Sequence, residues 1–165
     1  MNISKNVKNK IFSKETIASL VVIILVFILD RVTKISIINH QLNNSSLFIN
    51  DYLNLELAWN TGIGFGLFSQ NGNIYYHSIS MLIFFVIVFL IYLINSANCV
   101  EKILFSLILG GAFGNFYDRL IYFAVPDFID FHINDFHWFT FNIADIFITI
   151  GIILIIVKDL ILDKK

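Results

Sequence analysis

Residues 110–145 read GGAFGNFYDRLIYFAVPDFIDFHINDFHWFTFNIAD. Five of the chain's twelve acidic residues fall in this stretch, Asp118, Asp127, Asp130, Asp135 and Asp145, and Arg119 is its only lysine or arginine. Its flanks are almost pure hydrocarbon. Carboxylates set at the ends of apolar helices are costly, so each is there either to be paired or to act. The reading of the whole chain turns on which of these holds for each acid.

The composition sets the class. Of 165 residues, 58% are hydrophobic and 14% charged, with a mean hydropathy of +0.80; soluble domains are about 45–50% apolar and about 25% charged. A bilayer core of about 30 Å needs about 20 apolar helical residues per crossing. Four stretches meet that need, over about 17–38, 78–94, 103–122 and 139–162. The expected fold is a mainly α membrane protein, one domain over 1–165 with four transmembrane helices. A net charge of −1 excludes a nucleic-acid partner, and the single cysteine, Cys99, excludes an internal disulfide or a cysteine-based metal site.

Lys5, Lys8, Lys10 and Lys14 precede the first apolar run, as they would in a secretory signal peptide. No small-x-small cleavage site follows, so the run reads as a retained helix. Asp30 and Lys34 lie at i and i+4 near its far end and can pair. The connection 39–76 has no lysine or arginine. Within it, YLNLELAW at 52–59 alternates with period two, which predicts a strand and a small sheet on the membrane surface. Gly62, Gly64 and Gly66 follow and imply a tight turn or a close backbone approach. In the third helix Gly110 and Gly114 form a small-xxx-small pair that admits a neighbouring backbone. Asn142 and Asp145 share a face at the start of the fourth. Basic residues gather at both termini and at Lys102 in the second link. The expected topology therefore has both termini cytoplasmic and the connections 39–76 and 123–138 outside.

Asp30, Asn115, Asp118, Arg119, Asp127, Asn142 and Asp145 all fall near the outer ends of helices or in the connector between helices three and four, so they should converge at one depth. Asp30 with Lys34, and Asp118 with Arg119, read equally well as structural ion pairs. Asp127 and Asp145 have no basic neighbour in sequence, and their cheapest state is a shared proton. Two such carboxylates have their pKa values pushed apart, so one can take a proton from water while the other donates to a carbonyl oxygen, as in aspartic proteases. Spacing alone leaves Asp118, Asp127 and Asp130 all open as the partner of Asp145.

Other chemistries have less support. His132 and His137, with Asp135 and either Asp127 or Asp130, suggest a metal site, but the histidines are five apart and no H-E-x-x-H occurs; no metal or cofactor is expected. Trp138 and its phenylalanines read as an interfacial aromatic belt. The glycines at 62, 64 and 66 lack the Lys-Ser/Thr of a phosphate loop, and no G-x-S-x-G is present. Two other function classes compete: a small transporter whose outer acids admit cations, for which no broken helices in related halves are seen, and a non-catalytic assembly protein whose acids glue helices together.

DRVTK at 30–34, NTGIGFG at 60–66, GGAFGNFYDR at 110–119, PDFIDF at 126–131 and FNIAD at 141–145, in that order along essentially the whole chain, resemble the blocks of the lipoprotein signal peptidases, or signal peptidase II. The resemblance implies an aspartyl endopeptidase of the bacterial cytoplasmic membrane, with its site at the extracytoplasmic face. Its substrates would be prolipoproteins carrying a diacylglyceryl cysteine, cut just before that cysteine. Asp127 and Asp145 match the family's catalytic pair. Asp30, Lys34, Asn60, Asn115, Arg119 and Asn142 match its supporting polar positions, and Gly62, Gly64 and Asp118 lie in the matching blocks. Pro126 stands where a small aliphatic residue is common and removes no catalytic group. A monomer in contact with membrane lipids, open to globomycin-type inhibitors, is expected.

Overall fold

The computed structural model describes residues 13–41, 46–62, 73–134 and 136–162. Four long helices, α1 (Lys14–Gln41), α2 (Asn73–Ser96), α3 (Cys99–Tyr122) and α4 (Ile143–Leu162), carry four strands between them. β1 (Leu47–Asn50) and β2 (Leu53–Asn60) lie between α1 and α2, and β3 (Val125–Ile133) and β4 (Phe136–Phe141) lie between α3 and α4. The strands form one antiparallel sheet in the order β1-β2-β3-β4.

α3 is the centre of the bundle and packs on all three other helices. Ile108, Leu109 and Ala112 of α3 bury against Ile87 and Leu90 of α2. Gly110 and Gly114 do admit a neighbour, and it is α1. A Cβ on Gly110 would lie 2.8 Å from Val26 Cβ, and one on Gly114 would strike the Asp30 carboxylate. Gly111 faces the other way, where a Cβ would stand 2.6 Å from the Ala144 carbonyl oxygen of α4. Three glycines in one turn and a half thus let two helices close on α3 from opposite sides. Asn98 and Glu101 make a capping box at the start of α3, and at that end Lys102 pairs with Glu15 while Lys158 pairs with Glu101. Cys99 is exposed and free, as befits a residue with no assigned role.

The bundle is apolar outside and polar inside. Leu20, Ile24, Ile28 and Val32 of α1, Leu82, Phe85 and Phe89 of α2, and Ile153, Ile156 and Leu160 of α4 are all exposed, while Asp30, Lys34 and Asp118 are wholly buried. Such a continuous apolar surface suits lipid rather than water. Among the described residues, Tyr76–Ser96 and Cys99–Tyr122 are long and apolar enough to cross a bilayer.

Two expectations need correcting. The fourth helix does not begin at Phe139 but at Ile143, because Phe136–Phe141 is a strand. The aromatic run FHWFTF shows no polar alternation, so by pattern alone it merges with the apolar helix behind it. The connection 123–138 is accordingly no bare connector; it supplies half of a sheet expected from the first connection alone. Phe123 caps α3 in the left-handed region (φ 55°) and so turns the chain straight from α3 into β3. The sheet is pinned to the bundle by the last residue of α1. Where β2 and β3 lose register between Leu55 and Ala58, Gln41 donates to the Leu55 carbonyl (2.9 Å) and accepts from the Leu57 N–H (2.7 Å).

Gly111→Val is expected to destabilise the protein by about 1–3 kcal/mol through overpacking against α4, read as a lower melting temperature in detergent. A neutral result would mean that α4 can move away from α3.

Candidate active site

The site is built from helix ends and one strand. Asn142 is the residue just before α4, and Asp145 lies three positions on. The Asp145 N–H donates to Asn142 Oδ1 and the Asn142 N–H donates to Asp145 Oδ2, both at 3.1 Å. This is a reciprocal helix cap, and it fixes the Asp145 carboxylate at a helix N-terminus, where negative charge is favoured. The Asn142 side chain, fully buried, also donates through Nδ2 to Asp127 Oδ1 at 2.6 Å. One asparagine therefore holds both carboxylates. Asn60, at the end of β2, donates to Asp127 Oδ2 (2.9 Å), and Asn115 of α3 donates to Asp145 Oδ1 (2.8 Å). Every oxygen of the two carboxylates thus accepts one N–H from the protein, and each keeps a second lone pair for a water or a proton.

Behind this pair lies a buried charge cluster. Lys34 Nζ donates to Asp30 Oδ2 (2.7 Å) and Asn115 Oδ1 (2.9 Å) and forms an ion pair with Asp118 Oδ2 (2.7 Å). Asp30 Oδ1 accepts the Ala144 N–H of α4 at 3.0 Å. Asp118 pairs in addition with Arg31, whose guanidinium lies 4.8 Å from the centre of the Tyr117 ring. Two acids and two bases sum to zero.

The Asp30–Lys34 pair is as expected, whereas Asp118 does not pair with its neighbour Arg119. Residues i and i+1 point about 100° apart on a helix and cannot face one another. Arg119 instead turns toward the dyad and donates to the Gly62 carbonyl, while the Gly62 N–H donates to Asn60 Oδ1 at 2.9 Å. The Tyr76 hydroxyl donates to the Arg119 carbonyl. Arg31 was missed. Its signal was the i,i+3 spacing to Lys34, which puts both cations on one helical face. Gly64 lies outside the described residues.

Asn60, Asn115, Arg119, Asp127 and Asp145 line one cleft of about 210 Å³, whose remaining wall is Ile79, Leu82, Ile83, Val125 and Ile148. Asp127 is buried on β3, opposite Ala58 of β2. Burial, and then the facing Asp145 carboxylate, push its pKa up to about 6. Asp130, His132 and His137 meet elsewhere on the sheet, and Asp135 lies outside the described residues.

Two carboxylates sharing one asparagine, in a cleft among apolar helices, are an arrangement suited to an aspartic peptidase that works beside a membrane. The chain belongs to the signal peptidase (SPase) II family, whose model matches residues 22–161. It is 48% identical to the lipoprotein signal peptidase of Pelagibacter ubique (strain HTCC1062) over 95% of this chain and 96% of that one. The lipoprotein signal peptidase of Anaplasma phagocytophilum (strain HZ) is 36% identical over 89% and 94%. Two solved structures of bacterial membrane enzymes, obtained by the in meso method at 2.3 and 1.9 Å resolution, share the fold at 33% identity. Their TM-scores are 0.71 and 0.73, over 89% and 88% of this chain and 91% and 94% of theirs.

Because the pKa of Asp127 is higher folded than its ordinary 3.8, the folded chain holds the extra proton. Stability is then lost as pH rises from about 4 through about 6. Asp127→Asn removes that loss, so the melting temperature of the variant should gain on wild type between pH 4 and pH 7. Parallel curves would show that Asp127 is ionised throughout.

Proposed function

We propose that this chain is an intramembrane aspartyl endopeptidase that removes the signal peptide from prolipoproteins bearing a diacylglyceryl-modified cysteine, cutting just before that cysteine. The observation that carries the reading is the bridging of Asp127 and Asp145 by Asn142 at the start of α4. The dyad carries one proton. Its ionised member takes a proton from a water lodged between the two acids, the water oxygen bonds to the scissile carbonyl carbon, and the protonated member gives its proton to the carbonyl oxygen. The carboxyl that took the water proton gives it to the departing amine as the C–N bond breaks, and a hydroxyl of the tetrahedral intermediate returns its proton to the other carboxylate as the carboxyl product forms, which restores the single-proton state. The apparent pKa values belong to the pair.

Asn115 and Asn142 orient the carboxylates, and the Asp30–Lys34–Asp118–Arg31 cluster holds α1 against α3. Arg119 is buried, with Nε and one terminal nitrogen unpaired among the described residues. Donors so placed beside the dyad suit a substrate backbone carbonyl, whose loss would leave them unsatisfied. Phe139, Phe141, Ile146, Thr149 and Ile150 line an apolar groove of about 280 Å³ that reaches the same Asp145, which suits a lipid-modified substrate arriving from the bilayer.

All four helices cross the cytoplasmic membrane, with both termini cytoplasmic and the sheet and site at the extracytoplasmic face. The exposed apolar faces of α1 and α4 support this, as does the gathering of lysines at the termini. The sheet offers an extended peptide an edge for strand addition. The enzyme acts as a monomer, needs no metal for catalysis and binds globomycin-type inhibitors in the same cleft.

The test is cleavage of a diacylglyceryl-modified prolipoprotein by the purified protein in detergent. Asp127→Asn and Asp145→Asn should each lose at least about 100-fold in activity with an unchanged fold, while Asp130→Asn still cuts. Added EDTA should leave the rate intact. An active Asp127→Asn enzyme would move the dyad to Asp130 or Asp118. A wild-type protein unable to cut would favour cation binding at the outer acids.

A further inference from the structure

On the sheet beyond the dyad, Asp130 and His132 of β3 are two apart and therefore on one face. His137 of β4 stands directly opposite His132 in the ladder, just past a register shift between Phe131 and His132. The helical-spacing test for metal ligands does not apply here, because these residues are on paired strands. The two imidazoles stack, with centroids 5.1 Å apart and planes at 25°, and this sets their ring nitrogens side by side against one carboxylate. His137 Nδ1 lies 2.8 Å from Asp130 Oδ2 and His132 Nδ1 lies 3.4 Å from the same oxygen. One donor atom from each of the three residues falls within 4.8 Å of the others.

Two further observations point to a cation. His132 is only 9% exposed and its Nδ1 makes no hydrogen bond among the described residues. Asn54 is the register partner of Asp130 across β2 and β3, and its Oδ1 is buried and likewise unbonded among the described residues. Two buried polar atoms without hydrogen-bond partners among the described residues thus flank a buried carboxylate. Native proteins rarely leave such atoms so, unless something else fills the gap. We propose that Asp130, His132 and His137 form a binding site for a divalent transition-metal ion of the zinc class, separate from the catalytic dyad, which clips β4 to β3. Two imidazole nitrogens and one carboxylate oxygen are the ligand set such ions favour. With bonds of about 2.0–2.2 Å, tetrahedral ligand atoms stand about 3.3 Å apart, close to the spacing around Asp130 Oδ2. The half-exposed His137 side chain leaves water access to a fourth position. The ion has no part in peptide cleavage and adds stability by binding only the folded hairpin.

The test uses the full-length protein without a histidine tag, stripped of metal and held in detergent. Zinc chloride is titrated calorimetrically, and cobalt(II) is added separately as a spectroscopic probe. Wild type should take up one zinc per chain saturably, melt at a higher temperature with zinc, and give visible cobalt bands of a four- or five-coordinate ion. His137→Ala, at an exposed position safe for folding, and Asp130→Asn should each weaken uptake by at least about tenfold, while His40→Ala and His77→Ala bind as wild type does. Absence of saturable uptake by wild type, or uptake unchanged in His137→Ala and Asp130→Asn, overturns the site and leaves two stacked imidazoles beside a carboxylate that hydrogen-bonds one of them. Neither outcome bears on cleavage by Asp127 and Asp145.

Discussion

The ammonium of Lys34, with no surface in contact with solvent and three oxygens within 2.9 Å, is the constraint on which the rest depends. A charge removed from water must have its partners in place at once, because a single missing acceptor costs far more than its presence gains. Its acceptors come from α1 itself, in Asp30, and from α3, in Asn115, and Asp118 of α3 supplies a second opposite charge. Asp30 then takes a backbone N–H of α4 with its other oxygen. One cation therefore fixes the mutual depth of three helices, and Asn115 carries that register on to Asp145.

The dyad itself is positioned by means that cost little sequence. A reciprocal cap is an ordinary way to start a helix, here made from Asn142 and Asp145. The Asn142 side chain reaches beyond its own helix to Asp127, which turns a local cap into a link between a strand and a helix. The left-handed Phe123 ends α3 abruptly enough that β3 delivers Asp127 four residues later, beside the bundle rather than beyond it. Asp127 lies on β3, Asn115 on α3 and Asp145 in the first turn of α4, so rigid elements hold both carboxylates.

Much of this was legible beforehand because long apolar helices declare themselves by length. The four apolar runs, the strand at 52–59 and the glycines of α3 each had a single dominant pattern. The second hairpin did not. Its outer residues, Phe131, Ile133, Phe136 and Trp138, are exposed and as apolar as any core, so the contrast that normally marks a strand is missing where the environment is itself hydrophobic. Ion-pair partners were legible only within one helix. Asp30 and Lys34 are a turn apart, whereas Asp118 finds Arg31 across 87 residues, and adjacency suggested Arg119 instead. The choice of Asp127 over Asp118 and Asp130 came from family resemblance. In the structure, Asp118 is held among cations and Asp130 lies among histidines, which leaves Asp127 to share the cleft with Asp145.

The distance along the chain between Arg31 and Asp118 also sets a timetable. A ribosome adds about 5–20 residues per second, so Asp118 is made roughly 4–17 s after Arg31. Throughout that interval the first helix holds Asp30, Arg31 and Lys34 and so has a net charge of +1. The acid that neutralises it does not yet exist. The pair of Arg31 and Asp118 can form only once the third helix has been made, so the first helix reaches its final packing late.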